Sequence, residues 1–267
     1  MSTRVRWLVA VAVVLTLSVE ALVGNALWDA TRPRLPALAA VASLLDKGIA
    51  DIVVASGDRA AVAVTGVVAY TACRKTLLAK GSRFNRAADL YTDPGTEDAL
   101  IGTVVKRLPA ADRAGRSAPV GGGPAPMTAD LGDGVRLRLS RLGNGWLEAV
   151  AETDCRSGQP PAEPTTGAQP PGKGTVDHVL AGLGTTVDTW HADTIGCPGG
   201  PLTTVSAISR VADTDNLPQR VAGLVPPTAH VFASPSNRLA WRDSTGSTIV
   251  AASDDGMHVT VEHTTPC

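Results

Sequence analysis

The stretch Ala61-Val-Ala-Val-Thr-Gly-Val-Val-Ala-Tyr-Thr-Ala-Cys73 decides how this chain is read. Ala61 to Tyr70 is an extended, β-branched run, and a cysteine closes it. Before it, Leu38, Val41, Leu44, Leu45, Ile49, Ile52 and Val53 recur at helical spacing. A helix feeding a strand that ends at a cysteine is therefore expected. The same order returns downstream: Val176 to Leu183 reads as a short helix, Thr185 to Ile195 as a strand, and Cys197 follows.

After each cysteine comes another strand, Arg83 to Tyr91 or Leu202 to Val211, and then a helix. The first of these helices, Glu97 to Leu108, has Thr96 as its expected N-cap, acidic residues in its first turn, Lys106 and Arg107 in its last, and Pro109 as its stop. Its counterpart, Thr214 to Val225, ends at Pro226-Pro227. Each segment closes in strands that alternate apolar and polar. Val135, Leu137 and Leu139 oppose Arg136 and Arg138; Met257, Val259 and Val261 oppose His258, Thr260 and Glu262. Gly145 and Gly256 suit hairpin turns. The pattern predicts an α+β protein of two small repeated domains, each with a mostly antiparallel sheet.

The cysteines agree with this division. The chain has four, Cys73, Cys155, Cys197 and Cys267, with no CxxC, which points to structural disulfides in an oxidising compartment rather than to zinc or redox chemistry. Three connectivities are possible. Cys73 with Cys155 and Cys197 with Cys267 is expected because a Pro/Gly-rich segment, 157–174, separates the pairs like a linker. The domains then span 31–156 and 175–267.

Residues 1–30 carry the targeting information. Arg4 and Arg6 precede an apolar stretch from Trp7 to Trp28 that Glu20 interrupts. As a signal peptide it offers Gly24-Asn25-Ala26 as a cleavage site, leaving a secreted protein. As a transmembrane helix it rises about 32 Å at ~1.5 Å per residue, enough for a span with a tryptophan at each interface. The anchor is the favoured reading; it places the N-terminus in the cytoplasm and the domains outside the plasma membrane, and both readings export the rest.

Composition narrows the function less. Net charge is −1 and aromatics are 3%, so nothing argues for nucleic acid, and the cores must be aliphatic. Charge is uneven: residues 28–160 carry +3 and residues 175–267 carry −5, which permits the two domains to dock.

The chain resembles uncharacterised actinobacterial envelope proteins that carry one N-terminal apolar segment and small cysteine-bracketed domains. The resemblance rests on Trp7 to Trp28, the four cysteines, and the helix ends Leu108-Pro109 and Val225-Pro226-Pro227. It implies an envelope location and carries no activity.

Candidate chemistry is sparse. Gly167 to Thr175 matches a phosphate-loop pattern, but it lies in a proline-rich segment where Pro170-Pro171 remove two donors. His191 with Asp193, and His258, Thr260 and Glu262, share strand faces without metal-ligand spacing, and solvated strand faces are the expected reading. Asp254-Asp255-Gly256 reads as a turn. No nucleophile motif occurs, and no cofactor or metal is expected.

One surface has a functional reading. Arg74, Lys75, Lys80, Arg83 and Arg86 cluster after Cys73, and with Arg136, Arg138 and Arg141 they could form a basic face for anionic lipid or a phosphate-bearing wall polymer. The expectation is a non-catalytic binding or accessory module of the envelope, contacting the membrane, such a polymer or an envelope protein. A hydrolase with dispersed carboxylates is the alternative.

Overall fold

The computed structural model describes residues 37–74, 80–118, 124–160, 169–232, 237–253 and 255–267. The expected N-terminal anchor or signal, residues 1–30, lies outside them. Among the described residues no helix is long and apolar enough to cross a membrane.

Helix α1 (Leu38–Ser56) presents Leu38, Val41, Leu45, Ile49 and Ile52 on one buried stripe, the period that its sequence shows. It leads into strands β1 (Ala61–Val64), β2 (Val68–Arg74) and β3 (Lys80–Tyr91), then helix α2 (Glu97–Arg107). Strands β4 (Gly115–Arg116), β5 (Met127–Gly132), β6 (Val135–Gly143) and β7 (Trp146–Thr153) complete the first domain. Its sheet runs β1-β3-β7-β6-β5-β4, with β2 also paired to β3, and every pairing is antiparallel. Val135, Leu137 and Leu139 are fully buried under the helices, as their alternation requires.

The second domain follows the same plan. Helix α3 (Lys173–Gly182), strands β8 (Val187–Cys197) and β9 (Gly200–Ser209), and helix α4 (Leu217–Ala222) precede β10 (His230–Phe232), β11 (Arg238–Asp243), β12 (Gly246–Ala252) and β13 (Val259–Thr264). The antiparallel order β8-β9-β13-β12-β11-β10 reproduces the first sheet, with β8 in the place that β1 and β2 share. The bridges join Cys73 to Cys155 and Cys197 to Cys267, with Cα–Cα separations of 5.9 and 5.5 Å, so each ties the edge strand's end to the segment beyond the same central strand.

Three local expectations are corrected. The run Ala61 to Tyr70 is two strands, broken at Thr65-Gly66-Val67. The helix expected from Thr214 to Val225 is a shorter one, because Asn216 adopts a left-handed conformation and Pro218 opens the first turn. Met257 lies before β13 and is half exposed, so the apolar face of that strand begins at Val259.

The domains dock through β1, which lies against β9, β11, β12 and β13 and so crosses the second sheet rather than following one strand. Val62 and Val64 face the core under α1, while Ala61 and Ala63 pack with Tyr91, Phe232, Ala240 and Ile249 between the sheets. Ile195 and Leu202 of the second domain enter the first core. At the break, a Cβ on Gly66 would stand 2.5 Å from the Asp193 carboxylate, so no larger side chain fits without displacing it.

Strand β1 is also the buried edge of its sheet. The second domain partners two backbone groups along this edge: Val64 N–H donates to Thr204 Oγ1 at 3.1 Å, and Ala60 C=O, just before the strand, accepts from Arg242 Nη1 at 3.2 Å. A buried amide left without a partner costs about 1–3 kcal/mol. Thr204→Val therefore should destabilise the protein by about that amount in denaturant unfolding, whereas Thr204→Ser should stay close to wild type.

Candidate functional site

The expected basic face separates into paired and unpaired residues. Alternation along β3 sets Phe84, Arg86, Ala88 and Leu90 on the face that α1 covers, so Arg86 is buried, 7% exposed. Its Nη1 pairs with Asp46 on α1 at 2.8 Å and donates to Thr194 C=O of β8 at 3.3 Å. Arg86 is thus a tie between helix, sheet and second domain, not a surface contact, and its place between Phe84 and Ala88 already signalled burial. Burial holds the Asp46 carboxyl above its usual range, with Arg86 opposing.

Arg136 and Arg141 are also engaged. Arg136 lies 3.3 Å from Asp154 and 3.9 Å from Glu152, and Arg141 lies 3.6 Å from Glu97. Arg138 stands beside Glu148, whose carboxyl burial holds up.

Arg74, Lys80 and Arg83 differ. Strand β2 pairs with β3 and is exposed along nearly all its length, forming an arm whose far end, beside the Arg74–Lys80 pair, the Cys73–Cys155 bridge fixes. Cys73 stands opposite Gly81, where a Cβ would come within 2.5 Å of Arg156 C=O; the close passage of the chain there requires glycine. Arg74 and Lys80 face each other across the ladder, and Arg83 stands opposite Thr71. All three are exposed, and none makes an ion pair with a described carboxylate. Val68 and Tyr70 on the same arm are 51% and 42% exposed. Lys75 lies outside the described residues.

A second feature is a cleft of about 850 Å³ between the domains. Asp58, Arg59, Asp93 and Thr96 line it from the first domain; His230, Arg242 and Asp243 line it from the second. His230 Nε2 lies 3.5 Å from Asp93 Oδ2 and its ring meets Phe232 edge-on. Burial lowers the Arg242 guanidinium below its usual range, with Asp58 opposing.

The wall at Asp93 is held by Glu97, which sequence reading placed only as a first-turn acid. Thr96 Oγ1 donates to Asp93 C=O at 2.6 Å instead of capping α2. Glu97 is 2% exposed and accepts the backbone N–H of Gly145 in the β6–β7 turn.

The other candidate residues do not converge. His191 Nε2 is 3.6 Å from Asp193 Oδ2, but β9 separates β8 from β13, and Ser206 stands in register between His191 and Glu262. His258 precedes β13 and contacts Ser209 C=O through Nδ1. Lys173 of the phosphate-loop pattern pairs with Asp177 and covers the Trp190 ring. Asp255 accepts from Ser253 Oγ and Met257 N–H, as a turn residue does, while Asp254 lies outside the described residues. No group of three or more His, Cys, Asp and Glu suited to a metal occurs among the described residues.

No protein-family model matches the chain, and no curated protein matches it. Among solved structures, the di-domain ARO/CYC BexL from the BE-7585A biosynthetic pathway aligns over 84% of this chain and 80% of its own, at 11% identity and a TM-score of 0.19. At that score the alignment carries no argument.

The Glu97 contacts yield a pH dependence. Burial alone would raise its carboxyl, but the N–H groups of Gly145, Glu97 and Gly95, with Arg141, outweigh burial and lower it. The stability that it contributes is full above the ordinary carboxylate range and is lost as pH falls through the lowered value. Glu97→Gln should lower stability at neutral pH by on the order of 1 kcal/mol and flatten the loss on acidification, both readable in denaturant unfolding across pH.

Proposed function

We propose that this protein is a membrane-anchored, extracytoplasmic, non-catalytic binding or accessory module of the cell envelope, and that the β2–β3 arm contacts an anionic partner: lipid headgroups or a phosphate-bearing wall polymer. The two disulfides fit an oxidising, extracytoplasmic location. The observation that carries the reading is the sorting of the basic residues. Carboxylates lie close to Arg86, Arg136 and Arg141, while Arg74, Lys80 and Arg83 share one arm and make no ion pair with a described carboxylate. Cations on an exposed strand that no described carboxylate pairs can meet an external anion; among them Arg83 also hydrogen-bonds the Tyr70 hydroxyl. The exposed Tyr70 and Val68 add apolar contact beside them.

Detergent-solubilised full-length protein should bind polyphosphate with an affinity that falls steeply with salt. At roughly 1 kcal/mol for each basic side chain near a charged surface, the triple variant Arg74→Gln, Lys80→Gln, Arg83→Gln should weaken binding about a hundredfold. Arg136→Gln should leave it unchanged. Equal binding by the triple variant and the wild type would remove the reading.

An envelope hydrolase is the second reading, favoured by the gathering of Asp58, Asp93, Asp243 and His230 around the interdomain cleft. It expects the wild-type chain to release soluble fragments from purified wall material, and Asp93→Asn to abolish that release.

A further inference from the structure

Beside the cleft, the docked faces enclose a polar cluster to which both domains contribute. From the first domain, Asp89 accepts from Trp146 Nε1 at 2.9 Å, and Tyr91 stacks on Trp146 with ring centroids 6.1 Å apart. From the second, Arg238 lies 4.2 Å over the Trp146 ring and donates through Nη1 to Tyr91 Oη at 2.7 Å. Glu262 on β13 joins the cluster: it stands in register with Ile249, which packs with Ala61 and Ala63 between the sheets, Asp89 stands in register with Ala63, and Glu262 accepts from Ser206 Oγ at 3.0 Å.

Three acids face two arginines and one histidine here. Asp89 on β3, Glu148 on β7 and Glu262 on β13 interact with one another's charge through Asp89. Arg238 on β11 faces Asp89 and Glu262, His191 on β8 faces Glu262, and Arg138 on β6 faces Glu148. The groups packed beside them on β1, β9 and β12 are Ala61, Ala63, Ser206 and Ile249, none of which titrates.

We propose that Glu262, opposed by Asp89 of the other domain, is a proton-linked latch: protonated Glu262 holds the sheets together, and its ionisation loosens the docking at β1. Desolvating a carboxylate beside another negative charge is costly, whereas a neutral carboxyl in the same place is not. Burial accordingly raises the Glu262 carboxyl, with Ser206 opposing, Asp89 adding, and His191 and Arg238 opposing. Burial raises Asp89 too, against Trp146 and Arg238. The docked state therefore takes up protons. Docking is favoured as pH falls and weakens as pH rises through the raised values. The latch is independent of what the arm binds.

The Val64 amide reads the latch directly, because its N–H partner, Thr204, belongs to the other domain. In full-length protein, the protection of Val64 against hydrogen exchange, corrected for the intrinsic rate, is expected to fall as pH rises above the ordinary carboxylate range. Glu262→Gln should keep Val64 protected throughout, and Asp89→Asn should diminish the loss. Constant protection in the wild type, or an identical loss in Glu262→Gln, would overturn the latch. Should Glu262→Gln fail to fold, Asp89→Asn decides: a loss equal to the wild type's refutes the proposal.

Discussion

A β-strand buried on both faces and along its edge depends on what packs against that edge, and β1 is such a strand. All four of its residues are buried. Strand β3 supplies the partners on one side; on the other the second domain reaches the edge, with Thr204 accepting from Val64 N–H and Arg242 donating to Ala60 C=O just before the strand. The first sheet's edge strand is thus covered by the second domain rather than left open to solvent. The alternation Ala-Val-Ala-Val serves both sides at once: valines fill the space beneath α1, and alanines let the second sheet approach closely.

The two domains share one topology, and the difference between them lies in a single strand. Strand β8 runs unbroken to Cys197, whereas its counterpart is split at Thr65-Gly66-Val67 into β1 and β2. The split frees the halves for different work. One half is drawn under the second sheet; the other extends as the exposed arm that carries Arg74. Gly66 sits where the Asp193 carboxylate presses on the chain, so the break and the docking occur at one place.

Charge at the interface runs opposite to the bulk balance. The acidic second domain contributes Arg238, Arg242 and His230, which meet Asp89, Asp58 and Asp93 of the basic first domain. Net charge describes a long-range field, while docking depends on contacts within a few ångströms. The consequence is that Asp58, Asp89 and Asp93 of the first domain each face a base of the second at the interface.

Local pattern determined much of this protein. Periodicity of 3.6 and of 2 marked α1, α2 and the strands, the linker's position indicated the cysteine pairing, and the repeated order of elements gave two α+β units. These signals are legible because each depends on neighbours in sequence. Arg86 was misplaced because a cluster of charges reads as surface unless the strand period is carried through it. The split of Ala61 to Tyr70, the buried edge at β1, the cleft and the company of Glu262 were decided by tertiary structure alone. Each arises where segments far apart in sequence meet, and no local periodicity records which carboxylate will face which arginine across a docked interface.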